Sequence, residues 1–145
     1  MSTFLIIGAS SGIGKKLAEQ LVDSGHRVYA TYFKNKPAAN PGLPDFHYLN
    51  VLDENNSLDF LPDSLDGLVY CPGSINLRPF ERIKPSDFNA DFNLQVTGAV
   101  KLIQMALPRL KRSENASIVL FSTVAVQTGF PFHTQVSASK ALLKV

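Results

Sequence analysis

The chain has 145 residues, 45% of them hydrophobic, and a net charge of +2, which suits one domain with a real core. So weak a positive balance, without any long run of like charge, gives no case for nucleic acid, and the lone cysteine, Cys71, excludes an internal disulfide and fits a reducing compartment. The apolar run Phe4–Ile7 is too short for a signal peptide or a membrane span, so the default expectation is a cytoplasmic protein with no membrane partner.

In chain order, Phe4-Leu-Ile-Ile7 reads as a buried strand. Gly8, Gly12 and Gly14 follow in a G-x-x-x-G-x-G spacing, and a helical apolar pattern starts at Ile13 and continues through Leu17, Leu21 and Val22. A strand, a glycine turn and a helix N-terminus together form an anion site. Glycine lets the backbone turn tightly and approach a ligand, while free N–H groups and the helix dipole favour phosphate. Ser24-Gly25 stops the helix, and Arg27–Phe33, β-branched and aromatic, predicts the second strand. In dinucleotide folds, an acid at the end of this strand binds ribose hydroxyls, whereas a basic group accepts a 2′-phosphate. Here the position falls near Tyr32, with Lys34 and Lys36 close behind. The lysines are either phosphate ligands or part of a solvated loop.

Pro37–Pro44 reads as loop, Phe46–Val51 as a short third strand, and Asp53–Leu61 as a short helix ended by Pro62. Leu65–Tyr70 predicts the fourth strand, closed by Cys71-Pro72-Gly73-Ser74. Pro85-Ser86-Asp87 opens the longest helix, with apolar residues at Phe88, Phe92, Val96, Ala99, Val100, Ile103 and Leu107. Ala116–Thr123 predicts a fifth strand ending in two hydroxyls, and a last helix starts near Thr134. Strands alternating with helices predict one α/β domain over residues 1–145. Its doubly wound parallel sheet should have strand order 3-2-1-4-5, with a ligand at the switch between the first and fourth strands.

The glycine spacing, and above all Ser137-Ala-Ser-Lys140-Ala set behind Ser122-Thr123, resemble the short-chain dehydrogenase/reductase family. Its words look like T-G-x-x-x-G-x-G and Tyr-x-x-x-Lys, with a Ser thirteen residues before the Tyr. The resemblance implies nicotinamide-dependent redox of a small carbonyl or alcohol substrate, with NADP preferred over NAD because Tyr32 and Lys34 replace an acid. It implies cofactor contacts from Gly8, Ser10, Ser11, Gly12, Ile13 and Gly14, from Tyr32 and Lys34, from Asn50 and Val51 where the family has Asp-Val, and from Cys71, Gly73 and Lys140. No metal is implied.

The departures matter as much. Ile7 stands for Thr, and Tyr70-Cys71-Pro72 stands for Asn-Asn-Ala, so the bracing that the first Asn supplies must come from elsewhere. Asn93 to Gly98 resembles a segment whose Asn interrupts the helix around a water in a proton relay. Thr123 takes the place of the family Ser and Lys140 that of the Lys, but the catalytic Tyr position is Val136, which does no acid–base work. His133 either stands in for that Tyr or packs locally. The resemblance covers all 145 residues and about the first three-fifths of the family domain, two further strands and the substrate loop lying beyond it. The family's long helix commonly pairs with its symmetry mate, which implies a homo-oligomer through helix 85–110. Two rival readings stay open: a non-catalytic nucleotide-binding or regulatory module, and a fragment whose long helix serves assembly.

Overall fold

In the computed structural model, which describes residues 1–38 and 42–143, the centre of the sheet is β1 (Thr3–Ile7). Leu5 and Ile7 turn to one face and Ile6 to the other, and all three are fully buried. A strand apolar on both faces needs cover on both, the usual condition of parallel sheets. β1 pairs in parallel with β2 (Arg27–Tyr32) and β4 (Gly67–Tyr70), while β3 (Asp45–Tyr48) and β5 (Ser117–Leu120) lie outside them. The order β3-β2-β1-β4-β5 is the expected one. Part of the expected loop 37–44, residues 39–41, lies outside the described residues.

Helix α1 (Gly12–Asp23) covers one face, setting Ala18, Leu17 and Leu21 against Ile6, Val28, Ala30 and Val69. On the other face the expected long helix runs in three pieces: α2 (Pro85–Phe92), a π-turn (Asn93–Thr97) and α3 (Gly98–Leu110). A π-turn spends an extra residue per turn, so a single helical period does not carry across it. This corrects the expected apolar stripe. Val96 and Ala99 are buried, but Phe92, Val100 and Leu107 stay 39%, 48% and 37% exposed. The residues that face inward are Asp91, Gln95, Leu102, Ala106 and Leu110.

The helix expected over Asp53–Leu61 does not form. Side-chain oxygens of Asn50, Asp53 and Ser57 accept the N–H groups of Leu52, Asn55 and Asp59, each two residues on. Such local turns compete with helix, and here they win. Beyond β5 come α4 (Ala125–Thr128) and α5 (Thr134–Ala141). No helix among the described residues is long and apolar enough to cross a membrane.

Candidate active site

The glycine loop hangs from β2. Gly8 N–H donates to Thr31 Oγ1 (3.0 Å) and Ala9 N–H to the Thr31 carbonyl (2.8 Å). Gly8 adopts a φ of +79°, which L side chains rarely adopt. At Gly14 a methyl would overlap the Gly8 carbonyl oxygen and stand 3.1 Å from Cys71 Sγ, so glycine is what lets α1 close on β1. No side chain caps α1 at Ser11, and no acid occupies its first turn. Its free N–H groups and the positive end of its dipole therefore open on solvent.

They open on a cavity of about 750 Å³ at the C-terminal ends of the inner strands. Every residue expected to hold a cofactor lines it: Gly8, the run Ser10–Gly14, Tyr32, Lys34, Asn50, Val51, Cys71, Gly73 and Lys140. No carboxylate stands among the described lining residues.

At the inner end, Lys140 reaches in from α5, its ammonium lying 3.6 Å from where a side chain on Gly73 would begin. Burial pushes the Lys140 amine below the usual lysine range, opposed by the negative charge of Asp91 and by Cys71. Burial pushes the Cys71 thiol up to about 11 although Lys140 pulls it down, so it rests as a neutral thiol. Opposite stands a polar group that sequence reasoning missed. Gln95 is fully buried, and its Nε2 donates to both oxygens of Asp91 (2.8 and 2.9 Å) and, at 3.3 Å, to the Ser74 carbonyl. The Gln95 Oε1 is thereby turned toward Gly73, 3.4 Å from its would-be side chain, and accepts no bond from the protein. Ser74 Oγ–H donates to Asp91 Oδ1 at 3.2 Å.

Three of the four residues expected to carry chemistry do not line the cavity. Asn93 is exposed, its Oδ1 accepting from Thr97 Oγ1 (3.4 Å), and Gln95 is the residue of this segment that enters the site. A step of four back from Ala99 or on from Asp91 was the available signal for Gln95. Thr123 Oγ1 accepts the Ala125 N–H (3.3 Å) at the start of α4. His133 Nδ1–H donates to the Pro131 carbonyl (2.8 Å), so that the ring serves its own loop. Lys140 alone of the four faces the cavity. Val136 is buried, 3% exposed.

A parallel sheet in this order, with a glycine loop and helix N-terminus at its switch point, defines the Rossmann-like class of fold. Residues 8–145 match the family model described as Enoyl-(Acyl carrier protein) reductase. The chain belongs to that family, within the short-chain dehydrogenases/reductases. It is 30% identical to the 3-oxoacyl-[acyl-carrier-protein] reductase FabG of Thermotoga maritima, covering 94% of this chain and 61% of that protein. It is 27% identical to the 3-ketodihydrosphingosine reductase of Bacteroides thetaiotaomicron (94% and 52%) and 28% identical to the 17-beta-hydroxysteroid dehydrogenase type 1 of Mus musculus (97% and 46%). The chain thus spans about half to three-fifths of these relatives' lengths. The ligand-free aldohexose dehydrogenase of Thermoplasma acidophilum superposes with a TM-score of 0.88 at 23% identity, over 98% of this chain and 57% of that one, a likeness of fold.

Proposed function

We propose that this chain binds a nicotinamide dinucleotide, NADP in preference to NAD, and serves the interconversion of a small carbonyl compound and its alcohol. The observation that carries the reading is the single cavity with the uncapped N-terminus of α1 at one end and Lys140 at the other. The fit is chemical as well as spatial. A pyrophosphate suits the N–H groups of Ser10–Gly14, and Asn50 and Val51 give adenine a polar and an apolar wall. Lys140 suits the hydroxyls of the nicotinamide ribose, and the close backbone approach at Gly73 leaves room beside it. When bound, the nicotinamide supplies or takes the hydride.

Preference for the 2′-phosphate rests on Tyr32 and Lys34 in a lining free of carboxylates. Lys36 and Lys15 stand with Ser10 on an adjoining cavity of about 280 Å³, Lys15 paired with Glu19 at 3.9 Å. The names of the relatives support the reaction class, since each carries a ketone or its alcohol. Calorimetric titration with NADPH and NADH tests the reading. NADPH should bind more tightly, and Lys34→Ala should weaken it by about 1–3 kcal/mol, the worth of a charged hydrogen bond. Tighter NADH binding overturns the preference, and no binding of either overturns the function.

Val136 favours a second reading, a nucleotide-binding module without turnover, which steady-state assays against a carbonyl panel separate from the first. The exposed Phe92, Val100 and Leu107 support self-association through helix 85–110, read by ultracentrifugation at micromolar concentration. The free thiol of Cys71 suits a reducing, cytoplasmic setting.

A further inference from the structure

Asp91, in the last turn of α2, is 3% exposed, and no Lys, Arg or His among the described residues lies within ion-pair distance of it. Burying a carboxylate without a cation is costly, and an apolar residue facing inward would avoid that cost. Three hydrogen bonds hold the carboxylate, two from Gln95 Nε2 and one from Ser74 Oγ–H. Both line the cavity, but Gln95 has no solvent-exposed surface and brings only an amide, whereas Ser74 is exposed and brings a hydroxyl. The Ser74 proton is committed to Asp91, which leaves its oxygen free to accept from the cavity side. One hydroxyl therefore separates a buried carboxylate from the place where a substrate would sit.

We propose that Asp91 is the proton store of this site, exchanging its proton with the cavity through the Ser74 hydroxyl while Gln95 fixes the carboxylate. The proposal rests on the oxidoreductase reading above. Val136 offers no proton, and neither Thr123 nor His133 reaches the cavity, so the proton that accompanies carbonyl–alcohol interconversion needs another carrier. In the oxidising direction the alcohol O–H proton passes to Ser74 Oγ as the Ser74 proton passes to Asp91 Oδ1. Two O–H bonds break and two form, Ser74 is regenerated, and Asp91 ends neutral. A bound oxidised nicotinamide would take the electron pair of the carbinol C–H bond as hydride, which would balance the step. Reduction runs the same path backwards.

Three other groups bear on the Asp91 charge. Lys140 of α5 attracts it, and Cys71 beyond β4 stays neutral. Asp87, one turn earlier on α2, is occupied by the Lys84 N–H (3.0 Å) and by Arg78 at 3.7 Å.

The test is carboxyl-carbon NMR of the chain labelled at aspartate, without cofactor, Asp91 being assigned by the signal lost in Asp91→Asn. Asp91 should titrate reversibly while the backbone spectrum stays native. Its proton exchange at the midpoint should slow by about tenfold or more in Ser74→Ala, the loss of one hydrogen-bonded carrier. Ser74→Thr, which keeps a hydroxyl, should restore the exchange. An Asp91 that stays ionised over the whole pH range of the folded chain overturns the proposal, as does exchange equally fast in Ser74→Ala. Should Ser74→Ala unfold, slow exchange in a folded Ser74→Thr overturns it and parental exchange supports it. Failure of the chain to bind NADPH is read in a separate titration and strikes the oxidoreductase reading alone.

Discussion

The Tyr70 hydroxyl donates to the Leu94 carbonyl at 2.5 Å, joining the end of β4 to the π-turn. Tyr70 occupies the position where the resembled family braces its strands with Asn, and the structure shows what braces this chain instead. The phenol passes beside Gly98, where a methyl would stand 2.8 Å from its oxygen. Since Leu94 precedes Gln95, the same bond anchors the turn that carries Gln95 into the cavity. Burial raises the phenol pKa, so the donor stays protonated through the ordinary pH range.

Tyr70→Phe should therefore cost about 1–3 kcal/mol, the penalty for leaving a buried carbonyl without its donor. The midpoint of urea unfolding measures it. The parent should also lose stability as pH rises past about 10, because the unfolded phenol ionises there while the folded one does not. Tyr70→Phe should lose that dependence, and an unchanged midpoint would show the bond to be idle.

Gly14→Ala should destabilise the chain by about 1–3 kcal/mol through overpacking, because its methyl meets backbone, the Gly8 carbonyl, with no side chain free to yield. The same shift should push α1 off β1 and spoil dinucleotide binding. Thermal unfolding and a cofactor titration read the two effects. Gly12→Ala makes a fair comparison, since nothing stands within 4 Å of a side chain there and only its φ of +56° resists.

What was legible in the sequence was whatever local pattern decides. The apolar Phe4–Ile7 run, the glycine spacing and the alternation of strands with helices were enough for the sheet order and for the cavity around Gly8–Gly14. Illegible were features set by competition or by tertiary phase. Asn50, Asp53 and Ser57 each bond a backbone N–H two residues on, and these local turns displace the helix expected over Asp53–Leu61. The π-turn broke the apolar stripe read from Phe88 to Leu107, leaving Asn93 outside and Gln95 inside, where only a step of four from Asp91 or Ala99 pointed. Thr123 and His133 carry suitable chemistry, but each spends its hydrogen bond on its own loop.

Asp66 ties three strand ends together. Its carboxylate accepts the Thr3 N–H and the Ser113 hydroxyl, both at 2.7 Å, and its carbonyl accepts the Ser117 N–H at 3.1 Å. The Ser113 bond first, then the Thr3 bond, hold its carboxyl below the usual range. A depressed folded pKa gives stability that is present above the unfolded value of about 3.9 and lost as pH falls through the folded one. Asp66→Asn should flatten the acid limb of a stability-against-pH curve. A limb as steep as the parent's would assign acid unfolding to other groups.

Val136→Tyr should destabilise the chain by about 1–3 kcal/mol, since a ring enlarges a side chain that is 3% exposed. It also places a phenol one helical turn from Lys140, a position from which it can donate a proton. If Asp91 and Ser74 already carry the proton, the new phenol should add little to the parent's turnover and much to that of Asp91→Asn. Steady-state rates of the two single variants and the double variant decide it. A large gain in the parent would mean that no proton path operates there.

The last prediction concerns the charge that Lys140 feels. Burial disfavours its ammonium form, while Asp91 and then Cys71 favour it, with a net displacement below the usual lysine range. A base whose folded pKa is depressed weighs against folding while it must stay charged. Stability therefore climbs as pH rises from the folded pKa toward the unfolded value of about 10.4. Asp91→Asn removes the larger of the two opposing attractions and leaves the burial. Lys140 should then titrate at lower pH than in the parent, and the rise in stability should begin at correspondingly lower pH. Carbon NMR of the reductively methylated chain follows the amine directly, with Lys140 assigned by its loss in Lys140→Arg. A Lys140 that titrates at the same pH in both proteins would show that Asp91 does not act on it across the gap beside Gly73. A higher value would mean that the carboxylate is already neutral and that its amide replacement brings Lys140 a new acceptor.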